Sequence, residues 1–181
     1  MESNDQNLGQ EQPVLLDKIN TAIKELGGGA KWKRTPEHLD GTEVLKDKTV
    51  VMVDDEIGVL EAFVPNLMVA TDGKASFIRY DNRSLEQLVA QIQEAKADVV
   101  LLDYHLSRGP ERAFPFTPGE LEGSEVARGL VGAGFTGSII GFSSDTYVKR
   151  EFQDAGALGA INKSPGFPGD SVKELAQLLK S

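Results

Sequence analysis

The sequence contains no cysteine, only two histidines and a single tryptophan among its 181 residues. The lack of cysteine excludes disulfides, thiolate catalysis and Cys-ligated metal sites, and two histidines cannot build a histidine-rich metal site. Acidic residues outnumber basic ones by 28 to 19. The resulting formal net charge of −9 argues against direct binding to a nucleic-acid backbone. No apolar run reaches membrane-spanning length, and residues 1–13 lack the apolar centre of a signal peptide. These absences favour a cytoplasmic protein that binds neither nucleic acid nor membrane.

What is present is a globular composition, with 40% hydrophobic residues, and a regular alternation of strand and helix patterns from residue 49 onward. Such an alternation predicts an α/β fold with a doubly wound, five-stranded parallel sheet and right-handed crossovers. Pro65 is expected to kink or end the first helix after this point, and Asp170 or Ser171 to cap the last one. The predicted strands are 49–53, 75–80, 98–103, 138–143 and 157–162.

The first 47 residues are predicted to be an extension to a domain at 48–181. Residues 1–13 are polar and are expected to be disordered. Residues 14–26 place apolar side chains on one helical face, and three glycines then end the pattern at 27–29. A helix this short needs a surface to bury its apolar face. It packs either on its own domain or on a partner, which includes a second copy in a homodimer.

The strand ends carry polar groups of a particular kind. The strand at 98–103 is a run of valine and leucine that ends in Asp103, a pattern typical of a strand buried on both faces. The carboxyl ends of parallel strands share one edge of the sheet, where open α/β folds place their chemistry. The polar groups at this edge are Asp54 and Asp55 after the first strand, Asp103, Ser143 and Ser144 after the fourth, and Lys163 after the fifth.

Three clustered carboxylates repel one another unless a cation neutralises them. Oxygen ligands of this kind suit Mg²⁺, which pairs one or two carboxylates with a phosphate and retains several waters. A carboxylate beside such an ion can attack a phosphoryl group and become an aspartyl phosphate. Lys163 supplies positive charge and Ser143 a hydroxyl donor for the phosphoryl oxygens. The sequence therefore predicts Mg²⁺-dependent phosphoryl chemistry at this edge.

This set of residues resembles the receiver domain of two-component response regulators, over residues 48–181. The resemblance implies the flavodoxin-like strand order 2-1-3-4-5 and a phosphoacceptor role for Asp103. It implies that Asp55 and Asp103 bind Mg²⁺ directly, that Asp54 acts through water and that the backbone carbonyl of His105 completes the protein ligands. Ser143 would be the switch hydroxyl and Lys163 the partner of Asp103 or its phosphate. The implied partners are a histidine kinase or phosphotransfer protein and a downstream protein.

The chain departs from the family pattern in three places. Ala160 stands where the family has an aromatic switch residue, and Ser164 separates Lys163 from the proline that usually follows it. The segment 106–122 after the acceptor is also unusually long, with Gly123 matching the family's glycine before the next helix. We therefore expect a different switch element. The candidates are segment 106–122, with Phe114 and Phe116, and Phe142 and Tyr147 beside the fourth strand.

Two other functions fit parts of the pattern. A receiver-like interaction module that no longer switches by phosphorylation is favoured by Ala160, although the acidic set and Lys163 are intact. A haloacid-dehalogenase-type phosphatase also uses an aspartate nucleophile and Mg²⁺. That family needs a second aspartate two residues after the nucleophile, where this chain has His105. The leading prediction is thus a phosphoacceptor that signals through protein contacts and is not a turnover enzyme.

Overall fold

The computed structural model describes residues 8–106, 121–145, 147–164 and 166–181, with side chains from residue 13 onward. Five parallel strands form the central sheet: β1 (Val50–Asp54), β2 (Ala75–Arg79), β3 (Val99–Asp103), β6 (Ser138–Ser143) and β7 (Gly159–Asn162). Two short strands, β4 (His105–Leu106) and β5 (Leu121–Glu122), form a separate antiparallel ribbon. The helices are α1 (Leu8–Glu25), α2 (Ile57–Ala70), α3 (Leu85–Glu94), α4 (Gly123–Gly132), α5 (Val148–Asp154) and α6 (Pro168–Leu178).

The order of the main sheet is β2-β1-β3-β6-β7, and all four pairings are parallel. With the ribbon set aside, this is the predicted order 2-1-3-4-5, and the predicted α/β fold class is confirmed. The topology brings the carboxyl ends of β1 and β3 side by side at the centre of the sheet, with β6 next to β3. Polar residues that follow these strands therefore converge.

Each face of the sheet is covered by three helices. Alternate residues of the central strands point to opposite faces, so that Val50 and Met52 pack with α1, α2 and α6, while Val51 and Val53 pack with α3, α4 and α5. We call α1, α2 and α6 the first helix layer and α3, α4 and α5 the second. All five residues of β1 and of β3 are buried, which explains their unbroken apolar runs. Among the described residues, no helix is long and apolar enough to cross a membrane.

Helix α1 is longer than predicted and packs on its own chain. It begins at Leu8, not at residue 14, so the expected disorder of residues 1–13 is wrong for 8–13, and residues 1–7 lie outside the described part. The apolar pattern starts only at Val14, but the glutamine and glutamate before it are good helix formers. Ile19, Ile23 and Leu26 are buried in the first layer. Val14, predicted to face inward, is 58% exposed.

The predicted ends of two helices differ from the structure. Helix α2 does not end at Pro65 but continues through this buried residue to Ala70, and the apolar burial of Leu67 and Met68 favours the turn that follows it. The alternative that Pro65 kinks the helix stays a prediction. Helix α6 begins at Pro168, with Phe167 preceding it, so neither Asp170 nor Ser171 is its N-cap. Proline at the first helical position is favoured because its missing N–H would be unsatisfied there.

Candidate phosphoryl-transfer site

The site is built on buried carboxylates at the centre of the sheet edge. Asp54 is fully buried at the end of β1, and Asp103 is 5% exposed at the end of β3. Asp55 follows β1 at the same edge and is half-buried. One carboxylate oxygen from each of these three residues lies within 4.8 Å of the others. The predicted convergence of the three acids is therefore present in the structure.

Lys163 bridges two of the acids. Its Nζ lies 2.8 Å from Oδ2 of Asp54 and 3.1 Å from Oδ1 of Asp103, and its side chain is 11% exposed. A single ammonium balances one of three carboxylate charges when all are ionised. The negative charge that remains is what one divalent cation would neutralise. The oxygen donors and the charge of the site therefore fit Mg²⁺.

The pKa values of the two buried carboxyls are raised, chiefly because burial disfavours their ionised forms. Burial raises the pKa of Asp54 to about 6, against the opposing effect of Lys163. Burial and the neighbouring charge of Asp54 raise the pKa of Asp103 to about 8, and Lys163 again opposes the change. For Lys163, burial lowers the pKa, but the two carboxylates outweigh it and the net change is upward. A bound cation would favour the ionised form of the acids.

Ser143 and His105 are placed differently from the acids. Ser143 ends β6, beside β3, and is 7% exposed. Its Oγ accepts a hydrogen bond of 3.1 Å from the backbone N–H of Asp145. The side chain of His105 is exposed in the ribbon and meets the ring of Tyr104 edge-on, with 4.6 Å between ring centroids. The roles predicted for the Ser143 hydroxyl and the His105 carbonyl stay predictions.

Gly123 lies where α4 begins, close to the acceptor strand. Its N–H donates to the Tyr104 carbonyl at 2.8 Å, and it begins α4 directly after the ribbon. A Cβ at this position would lie 2.2 Å from the backbone oxygen of Asp103. Only glycine permits this approach of α4 to the acceptor strand.

Sequence reasoning missed the contacts of Tyr104, the residue after the acceptor. Its hydroxyl donates to Glu151 of α5, and its ring packs edge-on against Phe152, with 5.9 Å between centroids. Burial and the bond to Glu151 raise the pKa of this phenol. No spacing in the sequence relates Tyr104 to Glu151, because only the tertiary fold brings α5 to the residue that follows β3.

The segment that carried the switch hypothesis lies largely outside the described residues, which stop at Leu106 and resume at Leu121. Phe114 and Phe116 belong to that part, so the hypothesis stays a prediction. Of the alternative candidates, Phe142 is fully buried against Phe63 and Tyr147 is 86% exposed. Ala160 is half-buried and packs in the second layer.

No family model and no curated protein matches the sequence. Solved structures do match in fold. A protein described as a two-component system response regulator/GGDEF domain protein aligns with a TM-score of 0.53 and 16% identity, over 77% of this chain and 52% of that one. A LuxR-family two-component response regulator from Aurantimonas sp. SI85-9A1 gives a TM-score of 0.49 and 18% identity, over 72% and 85% of the two chains.

The signal receiver domain of the response regulator NarL from Mycobacterium tuberculosis gives a TM-score of 0.44 and 20% identity, over 71% of this chain and 94% of that one. At such identities the similarity concerns the fold alone. The alignment with a TM-score of 0.53, together with the strand order of the sheet, shows that the chain has the receiver fold.

Proposed function

We propose that this protein is a response regulator receiver that accepts a phosphoryl group on Asp103 in a Mg²⁺-dependent reaction. The observation that carries the proposal is the bridge from Lys163 to Asp54 and Asp103 inside a buried acid cluster. A structural salt bridge needs one acid per lysine, whereas this site gathers three carboxylates around one ammonium. Such a surplus of buried negative charge is costly unless a cation compensates for it.

Each residue has a defined role in this proposal. An oxygen of Asp103 attacks the phosphorus atom, and the bond from phosphorus to the donor's leaving group breaks, with the electron pair going to the leaving group. Lys163 and the Ser143 hydroxyl stabilise charge on the phosphoryl oxygens. Asp55 and Asp103 would hold Mg²⁺, with Asp54 acting through water and the His105 carbonyl as a further ligand. When bound, the ion neutralises phosphoryl charge.

We further propose that residues 48–181 form the receiver unit and residues 1–47 an extension to it. Signalling would proceed through protein contacts, with a histidine kinase or phosphotransfer protein as donor and a downstream protein as target. The phosphatase alternative gains no support, because His105, at the position where that family has its second aspartate, is exposed in the ribbon. The alternative of a receiver-like interaction module that no longer switches by phosphorylation is weakened by the ion pairs that Lys163 makes with both Asp54 and Asp103.

The test is phosphorylation by acetyl phosphate, followed by intact-mass spectrometry. The wild type should gain one phosphoryl group when Mg²⁺ is present and none in a chelator. Asp103→Asn is the matched variant because it preserves shape and removes the nucleophile, and it should gain none. Equal labelling of the wild type and this variant would show that Asp103 is not the acceptor.

The metal is tested separately by thermal melting. Mg²⁺ that binds only the native state raises its stability by mass action, so the wild type should melt at a higher temperature with Mg²⁺. Asp55→Asn should lose most of this gain. An equal Mg²⁺ shift in both proteins would contradict the site.

A further inference from the structure

The backbone around Lys163 lies at an outer edge of the sheet. Strand β7 is the last strand of the order and, among the described residues, pairs with β6 alone. The N–H of Lys163 donates to the Ser143 carbonyl of β6 at 3.0 Å. Successive residues of a strand direct their backbone groups to opposite sides. The N–H and C=O of Asn162, one residue earlier, therefore point away from β6, to the side where a sixth strand would lie.

Two side chains of α6 bind these outward-facing groups. Oε2 of Glu174 accepts the N–H of Asn162 at 3.1 Å, and Oγ of Ser171 donates to the Asn162 carbonyl at 2.7 Å. The same Oγ accepts the N–H of Ser164 at 3.4 Å. Residues three apart lie on the same face of a helix. One face of α6 thus holds the peptide groups on both sides of Lys163.

The departure from the family pattern after Lys163 makes part of this arrangement possible. A proline at position 164 would have no N–H to donate. Ser164 supplies that N–H, and Ser171, which is 2% exposed, receives it. A buried hydroxyl with partners on both its donor and acceptor sides has a fixed orientation.

We infer that Ser171 and Glu174 are positioning residues for Lys163: they hold the segment 162–164 so that the ammonium group reaches Asp54 and Asp103. Neither residue touches the acids in the described contacts. Both act through the backbone of the two residues that flank the lysine, Asn162 and Ser164. The inference rests on the proposed function for its kinetic consequence, while its structural part stands on the hydrogen bonds alone.

The kinetic test compares Ser171→Ala with Ser171→Thr, which restores the hydroxyl. Phosphorylation by acetyl phosphate should slow about three- to tenfold in Ser171→Ala, the range that one ordinary hydrogen bond supplies. Glu174→Ala should slow the reaction less, and Glu174→Gln, which retains a carbonyl acceptor, should restore it. Because Glu174 is exposed, this second pair keeps the test informative if Ser171→Ala fails to fold.

Thr71→Val is the matched control. Thr71 also has a buried hydroxyl that donates to a backbone carbonyl, that of Leu67, but it lies after α2, at the end of that helix remote from Asp55. Its removal should destabilise the protein without slowing phosphorylation. Slowing of Thr71→Val and Ser171→Ala by the same factor would overturn the inference, because a general loss of stability would then explain both.

A double-mutant cycle with Lys163→Ala gives the decisive readout. If Ser171 acts through Lys163, Ser171→Ala should have no additional effect on the residual rate once the lysine is gone. A full, additive effect in that background would overturn the inference.

Amide hydrogen exchange separates this inference from the proposed function. Ser171→Ala should speed exchange at Ser164, and Glu174→Ala should speed exchange at Asn162, whether or not the protein takes up phosphate. If the wild type is not phosphorylated but these exchange effects appear, the proposed function fails, while the positioning of segment 162–164 by Ser171 and Glu174 is supported. Unchanged exchange at both amides would overturn this positioning role.

Discussion

The two helix layers differ in how they connect to the acidic site. The first layer meets it through α6, whose side chains hold the backbone beside Lys163. The second meets it through polar and close contacts at the acceptor strand: Tyr104 bonds to Glu151 of α5, and Gly123 of α4 lies against the Asp103 carbonyl. Ser143 also leads into α5 through its bond to Asp145. Thus α6 of the first layer holds the backbone beside the lysine, while α5 of the second layer is tied to the neighbours of both the acceptor and the hydroxyl.

The largest expected effect concerns the first layer. Ile23→Ala in α1 should lower the free energy of unfolding by about 2–5 kcal/mol, the usual cost of emptying a fully buried aliphatic site. Ile23 is 1% exposed, whereas Val14 of the same helix is 58% exposed. Urea denaturation checks this, with Val14→Ala as a control that should change stability by less than about 1 kcal/mol. Equal small effects would mean that α1 is not part of the core.

The second effect is a pH dependence of the acidic site, which lies at the sheet edge between the two layers. The pKa of Asp103 is raised to about 8 in the folded protein, chiefly by burial. A raised carboxyl pKa contributes stability that is fully present below the unfolded-state pKa and is lost as the pH rises through the folded-state value. Without Mg²⁺, stability should therefore fall between about pH 4 and pH 8, by an amount on the order of a few kcal/mol.

Denaturation across that pH range, with and without Mg²⁺, measures this effect. Asp103→Asn should flatten the upper part of the curve, between about pH 6 and pH 8, because its side chain does not titrate. Mg²⁺ should also flatten the curve for the wild type, since the ion favours ionised acids. A wild-type curve that rises with pH when Mg²⁺ is absent would contradict the raised pKa.

The third expected effect concerns the close packing of α5, in the second layer, against strand β6 of the sheet. A Cβ at Gly141 of β6 would lie 2.1 Å from a ring atom of Phe152 of α5. Gly141→Ala should therefore displace α5 and lower the free energy of unfolding by about 1–3 kcal/mol, the cost typical of overpacking. Denaturation gives the magnitude. Gly132→Ala, where the added Cβ meets nothing within 4 Å, is the control and should be near neutral.

The smallest effect concerns the polar link in the second layer. Tyr104→Phe removes the hydroxyl bonded to Glu151 and should cost about 1 kcal/mol. Glu151→Gln keeps an acceptor and should cost less. Urea denaturation of both variants checks the order. A Tyr104→Phe variant as stable as the wild type would show that this link does not fasten α5 to the acceptor strand.

The sequence was sufficient for the sheet and for the acids because both depend on local patterns. Unbroken apolar runs identified β1 and β3, and the rule that parallel strands end at one edge placed Asp54 and Asp103 together. Ser171 shows what local patterns miss. The spacing of Ser171 and Glu174 matches a capping box, which favours a helix start, yet both side chains bind the end of β7. The choice between these uses depends on the packing of α6 against the sheet edge, which no local pattern contains.

The ribbon of β4 and β5 has a consequence for how this chain can vary. It pairs His105 with Glu122 and Leu106 with Leu121, directly beside the acceptor strand and the start of α4. Because the two ends of the intervening segment already meet at this ribbon and loop-closure costs grow only slowly with length, changes in the length of that segment should cost little stability. We therefore expect sequence to be added, removed or exchanged beyond the ribbon with little effect on Asp103 and Gly123.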